Sequence, residues 1–458
     1  MRVTVSEALR LTRKGIAVLR QDGWRTFYRK ARRKLAVPEV VEQPVRVQVQ
    51  QQSYSSEAFG FVEWLDFTPE QLRQSLALMA ANRGPLPVKT INWYLPNFEH
   101  AYYGGVYTVF RFAASFVKEH GVKSSFVIIG DPSAPLEDVY AERISTAFPA
   151  LAGSYVVVIR SNDDLARVQF ADASIATSWI TAYYVLKFNE TKRKFYFLQD
   201  FEPMFHAAGS TSAQAEATYH FGFYGLTNTV TLKRHYQDDY HGEATFFTPC
   251  VDTHMFRPSV DQSQKNDRGP YKVFFYARPH HWRNGFELGA IAMCKLKDKL
   301  GSKVQIVAAG QQWDPAHYGL AGVVENLGLM SYHETAELYR TCDVGLAMMF
   351  TRHPSYLPFE FMASGCMVVS NVNIATSWFL KDGENCLLAL PSASYIAETI
   401  ARGLQDHELR QRITSNALHM IQQHFTDWHG QIEHIYQYMC DPDAHVERSI
   451  EVRNGVAL

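Results

Sequence analysis

The chain lacks the features that mark disulfide-rich, membrane-spanning or secreted proteins. Its six cysteines are scattered over 458 residues, and no two have the spacing of a zinc knuckle or a redox motif. A disulfide framework is therefore not expected. The scattered cysteines fit a reducing, cytoplasmic compartment instead. No apolar run reaches the length of a transmembrane helix. The first residues contain no apolar stretch of the kind found in a signal peptide, so none is expected.

The absence of two motifs argues against two kinds of enzyme, a dinucleotide-dependent dehydrogenase and a metal-dependent enzyme. No Gly-x-Gly-x-x-Gly follows a predicted strand, which argues against a dinucleotide-dependent dehydrogenase. The aspartate pairs at 163–164 and 238–239 are not Asp-x-Asp motifs in the setting of a metal site. His280 and His281 have no partner ligands at usable spacing. We therefore predict that the protein needs no metal and holds no cofactor.

Charge is balanced overall but uneven along the chain. The net charge is −1, which argues against a dedicated nucleic-acid binder. Residues 1–36, however, hold eleven Lys or Arg against two acidic residues, with apolar residues interleaved. This pattern predicts a basic amphipathic helix at the inner face of an anionic membrane. The alternative is a terminal helix packed on the protein or on a second copy, so a homodimer stays open.

The remaining chain shows α/β periodicity. Hydrophobic residues make up 47% of the chain, enough for large cores in two or three domains. A polar tether at 38–58 and a helix at 69–83 come first. Strands alternating with helices predict two Rossmann-like, doubly wound domains that face a central cleft. The predicted segments are a basic helix and tether (1–60), a first domain (61–256), a polar linker (257–270), a second domain (271–425) and a final segment (426–458).

A strand, a loop with two arginines and a helix follow one another at residues 271–300. Arg278 and Arg283 lie in that loop. A guanidinium group binds two phosphate oxygens at once, and a helix N-terminus attracts anions. The setting therefore suits a phosphate or diphosphate group. The alternative for both arginines is an exposed position in an ordinary turn.

Glu360 is the one charged residue in the stretch 353–370. It is expected in the first turn of a helix, where the helix dipole favours a carboxylate. There its oxygens could accept hydrogen bonds from the hydroxyls of a ribose. The alternative is a helix charge of purely structural value.

Two further loops carry candidate residues. Gly104 and Gly105 follow a predicted strand and open a helix, where small residues let the backbone approach a phosphate or sugar closely. A plain turn is the alternative. Asp200 and Glu202 follow a strand ending at Gln199, at the strand end where ligands bind in such sheets. Each could act as a general base or stabilise a developing positive charge, or merely cap the loop.

Several segments resemble the GT-B glycosyltransferases of family 4. Within that family they are most similar to bacterial rhamnosyltransferases of surface and S-layer glycan synthesis, the WsaF type. The resemblance spans roughly residues 88–430. It is carried by the residues at 93–97 (Trp-Tyr-Leu-Pro-Asn), 104–105, 199–203 (Gln-Asp-Phe-Glu-Pro), 251–256 and 353–365.

This resemblance implies a GT-B architecture and a retaining hexosyltransferase reaction. L-Rhamnose would pass from dTDP-L-rhamnose, held by the second domain, to a growing, lipid-linked glycan held by the first. It implies donor contacts by Arg278 and Arg283 and by the glycine pair at 104–105. Glu360 would bind the nucleoside. The base would be held by the backbone of Gly328, Leu329 and Met330, and a helix near 420–440 would cross back onto the first domain.

One departure from the family pattern bears on the sugar contact. Arg352 stands where the family usually has the first Glu of its Glu-x7-Glu element. His353 or Arg352 is therefore the candidate for contacting the donor sugar. The alternatives are a transferase that uses a UDP- or GDP-linked sugar, and a non-catalytic module that binds nucleotide sugar or glycan.

Overall fold

The computed structural model describes residues 56–102, 104–259 and 270–445. The predicted basic helix at 1–36, most of the tether at 38–58, most of the linker at 257–270 and residues 446–458 lie outside this part. The chain divides into two compact units, one ending at Trp64 and one comprising Leu65–Leu458. In the first unit the described residues form helix α1 (Ser56–Trp64).

The unit Leu65–Leu458 contains two parallel sheets, and the first has seven strands in the order β3-β2-β1-β4-β5-β6-β7. Its strands are β1 (Thr90–Pro96), β2 (Lys123–Ile129), β3 (Tyr155–Ile159), β4 (Ala171–Ala176), β5 (Thr191–Leu198), β6 (Tyr224–Asn228) and β7 (Ala244–Phe247). The accompanying helices are α2 (Pro69–Ala81), α3 (Gly104–His120), α4 (Glu137–Ala147), α5 (Trp179–Lys187), α6 (Ser210–Ala217) and α7 (Val230–Tyr240). The strand order changes direction between β1 and β4, which leaves a crevice at their carboxyl ends.

The second sheet has six parallel strands in the order β10-β9-β8-β11-β12-β13. Its strands are β8 (Tyr271–Tyr276), β9 (Val304–Ala309), β10 (Glu325–Asn326), β11 (Val344–Leu346), β12 (Met367–Asn371) and β13 (Leu387–Ala389). The helices that follow β8 are α8 (Phe286–Leu300), α9 (Tyr332–Thr341), α10 (Leu357–Ala363), α11 (Ala393–Gln405), α12 (His407–His424), α13 (Trp428–Cys440) and α14 (Pro442–His445). Here the order changes direction between β8 and β11.

Burial on both faces explains why these runs form central strands. All five residues of β12 and all six of β4 are buried, and β1 is buried over its middle five residues. Parallel strands covered by helices on both sides are apolar almost throughout, and these segments fit that pattern. The α/β class and the two doubly wound domains predicted from the sequence are confirmed.

The individual segments agree with the sequence prediction to different degrees. The sequence pattern predicts strands at 155–159, 271–276, 304–309 and 344–349. The strands β3, β8 and β9 coincide with the first three, whereas β11 ends at Leu346 and not at 349. The shift arises because residues 347–349 already lead into the loop that carries His353. The short strands β6, β7, β10 and β13 were not predicted individually, and the domain bounds stay predictions. In the described part of the chain, no helix is both long and apolar enough to cross a bilayer.

Helix α13 returns from the second sheet and packs on the first. Ile432, Ile435 and Met439 are buried in the same apolar cluster as Trp93 and Phe116. Near the end of α13, the fully buried guanidinium group of Arg193 ties three segments together. It donates to the carbonyl oxygens of Asn82 (2.8 Å), Met439 (3.0 Å) and Cys440 (2.9 Å), and also to that of Gly84. One cation thus satisfies carbonyl groups at the ends of α2 and α13, which would otherwise be buried without donors.

Replacing Arg193 with Ala should lower the free energy of unfolding by on the order of 3 kcal/mol, because buried carbonyl groups lose charged donors. Urea unfolding, followed by far-UV circular dichroism, measures the change. The control is Arg83→Ala, whose exposed ion pairs with Glu243 and Asp443 should contribute about 1 kcal/mol or less. Equal losses in the two variants would contradict the role given to Arg193.

Candidate functional site

A cavity of about 300 Å³ lies between the two sheets, at the point where each sheet changes direction. Residues after β1, β4 and β5 line it from the first sheet, and residues after β8 and β11 line it from the second. Both crevices therefore open into one space. Of the residues singled out in the sequence, the structure brings seven to this lining: Gly104, Gly105, Asp200, Glu202, Arg278, Arg283 and His353.

Two half-buried guanidinium groups supply the positive charge. Arg278 donates from Nη1 to the Tyr276 hydroxyl at 3.3 Å, while its buried Nε has no hydrogen-bond partner in the described part of the chain. The Arg283 guanidinium lies 4.4 Å from the centre of the Phe205 ring. Among the described residues neither arginine forms an ion pair within 4.0 Å. Two cations that face a cavity without close counter-ions leave room there for an anion.

The two carboxyl groups at the end of β5 differ in how many of their oxygen atoms accept hydrogen bonds. Asp200 accepts from the Thr351 hydroxyl (2.7 Å) and from the backbone N–H of Phe201 (2.8 Å), so both oxygens are occupied. Glu202 uses one oxygen, Oε2, which accepts from the backbone N–H of Trp179 and from the Tyr196 hydroxyl. The hydrogen bonds found for Glu202 leave Oε1 available to a ligand in the cavity.

Burial changes the protonation of these carboxyl groups. It raises the pKa of Asp200 to about 6, against the opposing effects of the Thr351 and Phe201 hydrogen bonds and of Arg283. It raises the pKa of Glu202 to about 7, where the neighbouring Asp200 charge adds to the rise. Near neutral pH, Asp200 is thus mostly ionised and Glu202 is divided between its two forms.

His353 is a neutral hydrogen-bond donor at the cavity wall. Burial, together with Arg283, lowers the pKa of His353 to about 3. Its Nδ1 accepts from the backbone N–H of Ser355 at 3.0 Å, so the proton is assigned to Nε2. This buried Nε2 has no partner among the described residues. Ser355 has a positive φ of 65°, an uncommon backbone conformation for a serine, and it also lines the cavity.

The glycine pair faces the arginines from the first sheet. Helix α3 begins at Gly104, which has a φ of 52° and so suits glycine. A Cβ on Gly105 would lie 2.7 Å from Nε2 of Gln199, which donates to the Gly105 carbonyl oxygen at 3.0 Å. The N–H groups of the first turn of α3 have no partners within the helix, so they add to the positive potential.

Four of the predicted donor-binding residues do not line this cavity. Gly328, Leu329 and Met330 form the loop between β10 and α9, and Glu360 lies in the first turn of α10. Glu360 is only 7% exposed, and burial raises its pKa to about 8, although a hydrogen bond from the Tyr332 hydroxyl opposes that rise. A ligand would reach its carboxyl group only after Tyr332 moves.

Arg352, the residue in place of the family's first Glu, is also outside the cavity lining. Its guanidinium lies 5.6 Å from the centre of the Phe201 ring. Of the two candidates for a sugar contact, the structure therefore places His353 at the cavity and Arg352 beside Phe201.

The sequence did not predict the contacts between the first and the second domain. The Tyr356 hydroxyl accepts from Thr108 (3.5 Å) and Asn228 (3.3 Å), and the Thr351–Asp200 hydrogen bond also joins the two domains. Tyr356 lies inside the stretch 353–365 that carried the resemblance. It could have been singled out there because it is a tyrosine with a hydroxyl group able to form hydrogen bonds. No local signal marks Thr351, because its partner is 151 residues away in the chain.

Changing Glu360 to Gln should alter how stability depends on pH. Below the unfolded pKa of 4.5 both states hold the proton; as pH rises towards about 8, only the folded state keeps it. The wild type should thus lose stability through this group between about pH 5 and about pH 8, by on the order of 3 kcal/mol relative to the Gln variant. Urea unfolding across that pH range tests this. Parallel pH profiles for the two proteins would contradict the burial of a protonated Glu360.

Comparisons with known proteins agree with this architecture. Residues 271–401 match the family model described as WsaF, C-terminal domain. The O-antigen biosynthesis protein RfbC of Myxococcus xanthus is 42% identical over 396 residues, which are 86% of this chain and 30% of RfbC. The chain thus spans about 30% of the length of that curated relative.

Two solved structures share the fold. HepE of Anabaena, in complex with UDP and glucose, has a TM-score of 0.60 at 15% identity, over 79% of this chain and 100% of that one. Sucrose-phosphate synthase of Thermosynechococcus elongatus has a TM-score of 0.57 at 14% identity, over 76% and 98%. The resemblance drawn from the sequence is confirmed: the chain has the GT-B fold of glycosyltransferases, and its residues 271–401 match the family model of the WsaF C-terminal domain.

Proposed function

We propose that the chain is a retaining glycosyltransferase of polysaccharide biosynthesis that takes its sugar from a nucleotide donor. The observation that carries this proposal is the pair Arg278 and Arg283, which line the same cavity as the start of α3 and form no ion pair with any described residue. The names of similar proteins support it, since RfbC is described as an O-antigen biosynthesis protein and HepE was solved with UDP and glucose.

The arginine pair would stabilise the leaving group. As the bond from the anomeric carbon to the diphosphate breaks, negative charge develops on the departing oxygen. Two guanidinium groups and the N–H groups at Gly104 and Gly105 would receive that charge. Because these groups already lie in place, no reorganisation is needed when the bond breaks. The expectation that no metal is required rests on this pair and stays a prediction.

Glu202 is the better candidate of the two carboxylates for contact with the acceptor. Asp200 already bonds to Thr351 and Phe201, so its role is to hold the two domains together. The free oxygen of Glu202 would accept a hydrogen bond from the attacking hydroxyl, or stabilise positive charge at the anomeric carbon. The neutral Nε2–H of His353 would donate to a sugar hydroxyl or to a phosphate oxygen.

The donor is proposed to be dTDP-L-rhamnose and the acceptor a growing, lipid-linked rhamnose-containing glycan. Besides the sequence resemblance, the lining includes the apolar side chains of Leu95, Val106, Val109 and Met349, which suit the methyl group of a 6-deoxy sugar. Glu360 would contact the 3′-hydroxyl of the deoxyribose once Tyr332 moves aside. A membrane contact through residues 1–36 and a homodimer stay further proposals.

The direct test is a transfer assay with four donors, dTDP-L-rhamnose, UDP-glucose, GDP-mannose and dTDP-glucose, and a rhamnosylated acceptor. We expect a mass gain of one deoxyhexose with dTDP-L-rhamnose alone, undiminished by a chelator, because Arg278 and Arg283 take the place of a metal. Transfer of a hexose instead would contradict the donor assignment. Donor binding without any product would support a non-catalytic module and contradict the proposed function.

A further inference from the structure

A second and larger cavity, of about 560 Å³, lies between the same two domains. Val230, Phe246 and Thr248 line it from the first domain, while the loop 378–385 and helix α12 line it from the second. It shares no lining residue with the cavity of the arginine pair. Its volume falls within the range of known small-molecule sites, roughly 300–1,000 Å³.

One wall of this second cavity is aromatic. Trp378, Phe379 and Phe425 form a contiguous group, with ring centres 4.8 Å apart for the first pair and 5.9 Å for Trp378 and Phe425. The Nε1 atom of Trp378 is buried and makes no hydrogen bond within the described part of the chain. A buried donor without a partner is unfavourable, so a ligand able to accept a hydrogen bond from it would be stabilised.

Helix α12 contributes a further, largely polar stripe to the lining. Asn416, His419, Met420 and Gln423 recur every three or four residues, so they lie on one face of the helix. Asn416 donates to the Glu384 carbonyl oxygen at 3.0 Å. The side chains of His419 and Gln423 make no hydrogen bond to any described residue. Each can both donate and accept, as recognition of hydroxyl groups requires.

The charged residues that line the second cavity argue against a phosphate ligand there. Lys381 is the one lysine or arginine among the lining residues, and its Nζ already donates to the Ser377 carbonyl oxygen at 2.7 Å. The carboxylate of Glu384 lies in the same lining and would repel an anion. A lipid chain fits less well than a polar ligand, because it would take the amide of Gln423 and the imidazole of His419 out of water without offering hydrogen bonds.

A saccharide suits both the aromatic wall and the polar stripe. The C–H face of a pyranose packs on aromatic rings, and its hydroxyl groups pair with amide, imidazole and indole N–H groups. We infer that the second cavity binds a sugar residue of the acceptor glycan, away from the end that receives the new sugar. This inference rests on the proposed function, because it takes the acceptor to be a rhamnose-containing glycan.

The position between the domains gives this site a consequence for catalysis. A glycan bound at both cavities would be held at two points, so the second contact would be intramolecular and would raise the affinity for longer acceptors. Since both domains line the second cavity, a bound sugar would also favour the arrangement in which they are joined.

The experiment compares binding of methyl oligorhamnosides of one to four residues, which carry no lipid, to the full chain by calorimetry. Gln423→Ala and His419→Ala should each weaken binding of the tetrasaccharide about tenfold or more, as loss of a hydrogen-bonding contact can. Trp378→Phe, which keeps a ring but removes the N–H, should weaken it as well. Gln422→Ala is the matched control on the same helix, because Gln422 is exposed and outside the lining, and it should change the affinity by less than about twofold.

Three outcomes would overturn the inference. The first is failure of the wild type to bind any oligorhamnoside; the second is equal binding by the Gln422 and Gln423 variants. The third is displacement of the tetrasaccharide by farnesyl phosphate in the wild type with the Gln423 variant unable to bind that lipid, which would assign the cavity to a lipid. Affinity for dTDP, which should stay within about twofold in all four variants, separates this inference from the proposed function. If the variants bind dTDP normally but lose the tetrasaccharide, the second site stands whatever the transfer assay shows.

Discussion

Two arginines that form no ion pair with any described residue are the constraint around which the candidate site is arranged. Arg278 and Arg283 follow one strand of the second sheet and lie in a half-buried position without close counter-ions. Burial lowers the pKa of the Arg283 guanidinium and the charge of Arg278 lowers it further, while the carboxylates of Asp200 and Glu202 oppose both effects from the other domain. Neither arginine has a close counter-ion in the described part of the chain, and the diphosphate of the proposed nucleotide-sugar donor would supply one.

The fold explains how residues far apart in sequence come to share this space. Each parallel sheet changes strand order once near its middle, between β1 and β4 in one and between β8 and β11 in the other. The two crevices face each other, and contacts such as Thr351 to Asp200 hold the domains together at 2.7 Å. The contact between the same two domains also forms the second cavity. Its lining carries aromatic and amide groups where the first cavity carries the two arginines. One pair of domains therefore presents two environments, one suited to an anion and one to a sugar.

Residues of this site could be predicted from the sequence where the pattern that marks them lies within one short segment. Arg278 and Arg283 could be predicted because a strand, a short loop and a helix follow one another within one segment, and the structure brings both to the cavity. Glu360 was predicted in the right turn of the right helix, but its surroundings depend on Tyr332, which belongs to another helix. The roles of Asp200 and Glu202 could not be separated from the sequence, since the difference arises from Thr351, which is distant in the chain. Contacts of that kind are set by tertiary packing and not by local pattern.

The most direct test of this account is the affinity difference between dTDP and thymidine, measured by calorimetry. The wild type should prefer dTDP by about a hundredfold or more, and a variant with both Arg278→Ala and Arg283→Ala should lose most of that preference. Arg352→Ala is the control, because this neighbouring cation lies outside the cavity lining, and it should keep the preference. An undiminished preference for the diphosphate in the double variant would contradict the central claim.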